Sequence, residues 1–438
     1  VTAVGRPRAV ILGAGFAGLW AARTLARSPV DVMVVDRNNY HTFLALLYQV
    51  AAAELQAEDI AYPVRSALWG LSNVDFAMGE VIRVDLAGRI VETTGPTLPY
   101  DYLIVATGSV THTFGVPGVE ENAFFLKGLE QAVALRNHIV CCFERAAHEP
   151  DPQRRRGLLT FAIVGGGATG VEFAGALSEL IHGPLRKDYP AIDFGLVRIV
   201  LLEAGAQLVA NMPLPARHYA GERLRRMGVD VRTGAVVDRV LPAVVHLRDG
   251  KAIPCETAVW TAGVRGEPLA QHSGLPVGPD GRVPVLPTLQ VPGHEEIYVA
   301  GDLAFIREGA GPPLPLVAQV AIQSAVAAAE NVKRCVGGRN PVPFRYDDKG
   351  SMITIGRNAA AVAVGGRVYK GFFAWLLWLV IHLYHLIGFR NRMVVLVNWA
   401  WDYLLYERAV RFVFPSETSF MAKSARCASA KNDRPSSR

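Results

Sequence analysis

The sequence predicts an α/β protein with two doubly wound, Rossmann-like dinucleotide-binding domains, the second inserted into the first, followed by a C-terminal amphipathic membrane-binding region. Three observations predict this. Two glycine-rich fingerprints, Gly13-Ala14-Gly15-Phe16-Ala17-Gly18 and Gly165-Gly166-Gly167-Ala168-Thr169-Gly170, lie about 150 residues apart. Strand-to-turn segments of similar form recur at Tyr102 to Gly108, Val259 to Gly263 and Ile297 to Asp302. From Lys370 the composition changes abruptly to an apolar, tryptophan-rich stretch.

Each fingerprint stands in the context it needs. Arg8 to Leu12 reads as a buried strand, and Leu19 to Arg27 carries the Ala/Leu-rich pattern of the following helix. Gly13 permits the tight turn, Gly15 lets the backbone approach a pyrophosphate, and Gly18 lets helix and strand pack closely. The helix then opens at Phe16 and Ala17, where free N–H groups meet phosphate. A second strand, Asp31 to Val35, ends at Asp36, the expected place for a carboxylate on the adenosine ribose. Arg37, Asn38 and Asn39 follow it, and Val81, Thr107 and Gly108 complete the candidate first site.

The second unit repeats the logic, with Leu159 to Val164 as strand, Val171 to Leu180 as helix, and Val197 to Leu202 as the next strand, ending at Glu203. Gly183, Pro184 and Pro190 are expected to break the connection, so Glu203 comes later than the usual spacing. Gly165, Gly167, Thr169 and Gly170 form the candidate second site, with Gly263 at a neighbouring strand end. Glu203 would bind a ribose 2′-hydroxyl and repel a 2′-phosphate, and no Arg follows it until Arg217. That favours NADH over NADPH.

These landmarks divide the chain. A first nucleotide domain over residues 1–115 and 255–340 is expected to enclose a second over 116–254. Residues 341–414 form the C-terminal anchoring and dimerising region, and 415–438 a disordered basic tail. The net charge of +6 belongs to the C-terminal end: eleven Lys/Arg and four Asp/Glu follow residue 361, while the preceding residues hold 34 basic and 35 acidic groups. No folded module interleaves basic and exposed aromatic residues, so an anionic lipid surface is the expected partner and nucleic acid is not. Cys141, Cys142, Cys255, Cys335 and Cys427 form no Cys-x-x-Cys pair and no metal-ligand cluster, which argues against a disulfide framework and a metal site. The first apolar run is the nucleotide-binding strand itself, so the chain is expected to stay on the cytoplasmic side.

Gly371 to Phe389 carries no formal charge when His382 and His385 are neutral, and as a helix it would be about 28 Å long. Arg390 and Arg392 follow, then a second apolar stretch from Met393 to Leu405, interrupted by Asn398 and Asp402. Trp375, Trp378, Trp399 and Trp401 lie in this region, and aromatic residues beside arginines suit the lipid headgroup zone. Two helices lying in one leaflet are expected in preference to a transmembrane span. The same apolar faces would also serve a homodimer interface.

At this point the chain resembles the type II NADH dehydrogenases, the single-subunit, non-pumping NADH:quinone oxidoreductases of respiratory membranes. The resemblance covers residues 8 to about 410. Asp36-Arg37-Asn38-Asn39-Tyr40-His41 and Leu46-Leu47-Tyr48-Gln49-Val50-Ala51 resemble the family's flavin-proximal segment. Leu44-Ala45 departs from the Gln-Pro often found there, and these two residues receive no role. Ala318-Gln319-Val320-Ala321-Ile322-Gln323 matches the family's Ala-Gln-x-Ala-x-Gln quinone-site motif, and Lys349-Gly350-Ser351-Met352 with Ile355-Gly356 resembles its membrane-binding end.

The resemblance implies a non-covalent FAD in the first site, with Asp302 near the ribityl chain and the helix at Ala318, Gln319 and Val320 aimed at the flavin. NADH is the implied substrate of the second site. A membrane quinone, menaquinone or ubiquinone, would meet Gln319, Gln323 and Trp378. Gln319 and Gln323, four apart, share one helix face and offer amides to a quinone carbonyl; a solvated face is the alternative. Glu172, expected in the first turn of its helix, occupies the place of an acid proposed to act in catalysis; the alternative is a carboxylate favoured by its own helix N-terminus. Lys349, His382 and His385 are the candidate proton sources.

A sulfide:quinone oxidoreductase shares fold and membrane attachment but needs cysteines beside the flavin. A nucleotide-sensing, membrane-associated flavoprotein is the alternative outside the enzymes. The expected cycle is ping-pong, at the cytoplasmic face of the inner membrane. No proton is pumped, because the apolar end holds too few spans and no intramembrane carboxylate relay.

Overall fold

The computed structural model describes residues 5–309 and 311–405, together with residues 408, 411 and 413. In chain order, the first stretch forms β1 (Arg8–Leu12), α1 (Phe16–Leu25), β2 (Asp31–Asp36), β3 (Val74–Met78) and β4 (Tyr102–Val105). The next forms β5 (Phe124–Phe125), β6 (Thr160–Val164), α2 (Ala168–Leu180), β7 (Arg198–Glu203), β8 (Val229–Thr233) and β9 (Thr257–Trp260). There follow β10 (Gln290–Val291), β11 (His294–Val299) and α3 (Ala318–Val336). After them come β12 (Ser351–Thr354), β13 (Ala360–Val364), β14 (Arg367–Gly371), α4 (Phe372–His385) and α5 (Phe389–Leu405).

Two sheets carry the fold. One has six strands in the order β10-β11-β4-β1-β2-β3, parallel except for β10 against β11. The other has five parallel strands in the order β5-β9-β6-β7-β8. The central strands β1 and β6 are apolar along nearly their whole length and buried on both faces, as parallel strands covered on two sides must be. From each of them the chain first steps outward on one side, through β2 and β3 or β7 and β8, and later returns on the other, at β4 or β9. The two fingerprints therefore leave β1 and β6 at switch points, where ligands bind beyond the carboxyl ends of the strands. The six-stranded sheet draws strands from before and after the five-stranded one. Small residues let its parts converge: a Cβ on Gly301 would lie 3.1 Å from Ala17 Cβ and 3.4 Å from Ala321 Cβ, bringing α1, α3 and the turn after β11 together.

Several local expectations need correction. α1 ends at Leu25, before Arg27. The helix after the second fingerprint does not break at Gly183 and Pro184; it widens into a π turn over Ile181–Leu185 and continues to Asp188. The wider turn accommodates a proline that an α-helix interior would not. Nor is there one apolar helix over residues 371–389. α4 has 14 residues, about 21 Å at the usual rise, and the chain then turns at Gly388, whose φ of +90° and contact with the Tyr62 ring leave no room for a side chain. Arg390 and Arg392 lie inside α5 rather than between helices, and Arg392 donates to Leu386 O at 2.7 Å and Tyr384 O at 2.9 Å, covering the last carbonyls of α4. Among the described residues no helix is long and apolar enough to cross a membrane. The segment 415–438, with Cys427, lies outside the described residues.

Candidate active site

The two glycine loops share one construction. Gly13 and Gly165 have φ of +97° and +113°, and a Cβ would lie 2.5 Å from Ala106 O at the first and 2.6 Å from Ala262 N at the second. A Cβ on Gly18 would overlap Gly13 O, and one on Gly170 would overlap Gly165 O, so each helix packs against its own loop only because these residues are glycine. Gly15 and Gly167 differ: a Cβ there would meet nothing within 4 Å. Both α1 and α2 begin without a side-chain cap and without an acid in the first turn. Free N–H groups thus face open space at both loops, which fits a pyrophosphate at each. Phe16 and Ala17 open α1, and Thr169 lies exposed on the first turn of α2.

The acids complete the parallel. Asp36 Oδ2 accepts from the Ala14 N–H at 2.7 Å and Oδ1 from the Asn38 N–H at 2.8 Å. Glu203 Oε2 and Oε1 accept from the Gly166 and Gly205 N–H groups, each at 2.6 Å. Burial pushes the Asp36 carboxyl above its usual range, opposed by the two N–H groups and by Arg37. Gly13, Asp36, Arg37, Asn38, Val81 and Thr107 line one cavity. In it the Thr107 hydroxyl is buried without a partner, an orphan that a nucleotide would satisfy. Asn39 is exposed outside this cavity, its carbonyl accepting from Val64.

At the far end of the first site, Ser109 donates to Asp302 Oδ2 at 2.6 Å and receives from Lys127 Nζ at 2.9 Å, so Asp302 sits in a polar triad beside the Gly108 turn. Ala318, Gln319 and Val320 open α3 without a side-chain cap, and the Val320 side chain is buried in the core, so only its backbone N–H faces the helix end. In the second site, Gly263 (φ +73°) lies under the ring of Phe114, beyond Thr261, whose hydroxyl donates within the Val164–Gly165 turn.

Glu172 lies in the second turn of α2 rather than the first, away from the open helix end. Its Oε1 accepts the Thr354 N–H at 3.3 Å, and burial raises its carboxyl to about 8, against the lowering effect of that hydrogen bond. It borders a second cavity with Tyr48, Gln49, Trp375, Trp378 and Trp399. Trp399 Nε1 donates to Gln49 Oε1 at 2.9 Å, and Gln49 Nε2 donates to Tyr48 Oη at 3.0 Å. Trp378 is 1 % exposed, yet its indole N–H has no acceptor.

Gln319 and Gln323 depart from expectation. Gln319 donates to Gly350 O at 2.8 Å and accepts from Lys349 N at 3.1 Å; Gln323 donates to Asp347 O and accepts from Asp347 N, both at 2.9 Å. Both amides are engaged by the backbone of residues 347–350, so in this structure they clamp that segment to α3. The candidate proton sources fall away from the cavity. Lys349 is exposed and paired with Asp347. His382 stacks on Trp378 at 3.9 Å and is pushed down to about 4 by burial, hence neutral, while His385 is exposed, edge-on to the Tyr384 ring. Instead Glu54, Glu179, Asp402, Arg357 and Arg408 line the cavity wall. Sequence reasoning passed over them, although Glu179 stands seven residues after Glu172, on the same helix face, and Asp402 is a lone acid in an apolar stretch.

Two equivalent dinucleotide loops and an acid-lined cavity define a nucleotide-dependent redox flavoprotein, and residues 7–331 match the family described as pyridine nucleotide-disulphide oxidoreductase. The chain is 40% identical to the type II NADH:quinone oxidoreductase Ndh of Mycobacterium tuberculosis, over 92% of this chain and 89% of that one. It is 32% identical to the type II NADH:quinone oxidoreductase of Staphylococcus haemolyticus, over 84% and 92% of the two chains. In fold it is similar to NDH2 from Plasmodium falciparum, solved in complex with NADH, with a TM-score of 0.85 at 20% identity over 91% of this chain and 99% of that one. The chain belongs to the type II NADH:quinone oxidoreductases. Cys141, Cys142, Cys255 and Cys335 are free, and none lines either cavity described above.

Proposed function

We propose that this chain oxidises NADH and reduces a membrane quinone, menaquinone or ubiquinone, in a ping-pong cycle, with a non-covalent FAD between the two substrates and without proton pumping. The overall reaction is that of its family. The observation that carries the quinone assignment is the cavity lined by both Glu172 and Trp378, which holds a carboxyl raised to about 8 and an unpartnered indole N–H. Bound FAD would supply a two-electron carrier that accepts hydride from NADH and returns the electrons to quinone.

Gly13, Gly15, Gly18, Asp36, Arg37, Asn38, Val81, Thr107 and Asp302 would hold it, and the uncapped start of α3 at Ala318 would stabilise negative charge nearby. Gly165, Gly167, Thr169, Gly170, Gly263 and Glu203 would hold NADH, with Glu203 disfavouring a 2′-phosphate. Glu172 holds a proton for the quinone, and Trp378 offers its N–H to a quinone oxygen. Gln319 and Gln323 act on that site as positioning residues, through residues 347–350.

The strand order supports an NADH domain inserted between two parts of an FAD domain, but it moves the second boundary from the expected 254 to beyond Trp260, because β9 (Thr257–Trp260) pairs with β5 and β6 of the five-stranded sheet. Phe373, Val380, Phe389, Val397 and Leu404 expose apolar side chains on α4 and α5, which supports a monotopic anchor at the cytoplasmic face of the inner membrane and leaves room for a homodimer contact.

Stopped-flow absorbance tests the reading: NADH should bleach the flavin, and a quinone analogue should restore it. If NADH bleaches the flavin but quinone does not restore it, the quinone assignment is wrong. Faster bleaching by sulfide than by NADH would favour the sulfide:quinone alternative.

A further inference from the structure

The cavity that Glu172 lines also holds an unusual concentration of charge. Arg408, on a side chain 6 % exposed, donates to Ala52 O and Ala176 O at 2.9 Å, to Glu54 Oε1 at 2.5 Å and to Glu179 Oε2 at 3.3 Å. Glu179 Oε1 also accepts the Arg357 N–H at 2.5 Å, and the Arg357 guanidinium donates to Asp402 O at 2.6 Å. Tyr48 and Tyr403 complete the ionisable lining, and burial holds the Tyr48 phenol well above the ordinary range, so it stays neutral. Four carboxyls, Glu54, Glu172, Glu179 and Asp402, thus face two guanidiniums, Arg357 and Arg408. Ionising all four would leave a net charge of about −2 in a poorly solvated space, which is costly, so the cluster retains protons near neutral pH. The unpartnered indole N–H of Trp378 in the same cavity marks the space as one that receives a polar ligand.

The reaction needs such protons. NADH, quinone and one H⁺ give NAD⁺ and quinol: hydride carries two electrons and one proton, and the second proton of the quinol must come from solvent in every turnover. We propose that Glu54, clamped by Arg408 in the same cavity as Glu172, is the proton store for quinone reduction, re-protonating Glu172 after each turnover and being refilled from water through Asp402 on α5. The proton leaves one carboxyl oxygen as it joins the next, with water in the cavity as carrier, and no further reactant is required. Burial raises Glu54 to about 7 and Asp402 to about 6, each opposed by Arg408, and Glu172 to about 8, so each carboxyl can take up and release a proton near neutral pH. Glu54 and Asp402 act through Glu172 and are positioning residues in this scheme; Glu179 anchors Arg408 and Arg357.

The inference rests on the quinone reading of this cavity, and the test separates the two. In multiple-turnover stopped flow with NADH and a soluble quinone, Glu54→Gln in the full-length flavoprotein should leave flavin bleaching by NADH unchanged. It should slow steady flavin reoxidation by quinone at least about tenfold above pH 7 and raise its solvent isotope effect. The ionisation near pH 7 should vanish from the reoxidation profile, and Glu54→Asp should restore it in part. If the Gln variant loses flavin or fails to fold, Asp402→Asn carries the same expectation with a smaller slowing. Wild-type reoxidation in the variant that folds, or slowing with an unchanged pH profile and isotope effect, overturns the proposal. Failure of quinone to reoxidise the wild type would instead overturn the quinone assignment itself.

Discussion

Thr354 donates its backbone N–H to Glu172 Oε1 at 3.3 Å, joining β12 to α2 at a carboxyl that burial has pushed to about 8. The folded state therefore binds a proton that the unfolded chain, with its ordinary carboxylate near 4.5, releases across the window between those values. Stability should fall as pH rises through that window, and Glu54 and Asp402, raised to about 7 and 6, add to the same trend. Glu172→Gln removes the ionisation. The variant should melt with wild type at pH 4, melt above it at pH 9, and lose about a hundredfold in quinone-dependent turnover. Calorimetry at both pH values with a quinone reductase assay checks all three outcomes.

The glycines of one loop should fail in different ways. A Cβ on Gly18 overlaps Gly13 O, so Gly18→Ala must push α1 from its loop, at a cost of roughly 1–3 kcal/mol. A Cβ on Gly15 meets no protein atom, so Gly15→Ala should fold normally yet obstruct the pyrophosphate. Thermal melting of the flavin-free proteins should separate the two, and flavin content after purification should fall for both. Equal melting temperatures would show that the loop yields to Gly18→Ala without cost.

The difference between these glycines explains what was legible in the sequence. The fingerprints at Gly13 and Gly165 and the acids at Asp36 and Glu203 obey backbone rules that act within about 40 residues, so the fingerprints and the strand ends after them place these residues even where the spacing is longer than usual, as at Glu203. The Glu172 cavity obeys no such rule. It is assembled from Tyr48, Glu54, Glu172, Thr354, Trp378 and Arg408, scattered along the chain and brought together by packing alone. Gln319 and Gln323 show the opposite hazard: their spacing on one face of α3 was readable, but not that residues 347–350 would engage both amides. The length of α4 was overestimated because Gly388 reads as one more apolar residue until its left-handed φ and the Tyr62 ring are seen.

Glu203 receives N–H groups from Gly166 and Gly205 at 2.6 Å, which fixes its carboxylate at the end of β7 beside the open N-terminus of α2. Glu203→Gln keeps the side-chain shape and removes the charge that opposes a 2′-phosphate. The ratio of kcat/KM for NADH to that for NADPH should fall about tenfold, a change of about 1.4 kcal/mol. Steady-state kinetics with both nucleotides measures it, and an unchanged ratio would place the discrimination elsewhere.

The two C-terminal helices carry their contacts to the protein and their exposed apolar side chains on different residues. Asn391, 6 % exposed, donates from Nδ2 to Glu58 O, Asp59 O and Ala61 O, each at 3.0 Å, and so pins the start of α5 to the first nucleotide domain. Asn391→Ala leaves three carbonyls without that donor and should cost about 1–3 kcal/mol of stability. Phe373 and Leu404 are 82 % and 73 % exposed, so replacing either with Glu removes no protein contact of comparable weight. Each replacement should leave melting and NADH-driven flavin bleaching unchanged while lowering partition onto anionic vesicles by about tenfold or more, since burying such a side chain is worth about 1.5–3 kcal/mol. Vesicle sedimentation beside calorimetry reads the two effects apart. Loss of melting temperature in Phe373→Glu, without loss of partition, would mean that α4 faces protein rather than lipid.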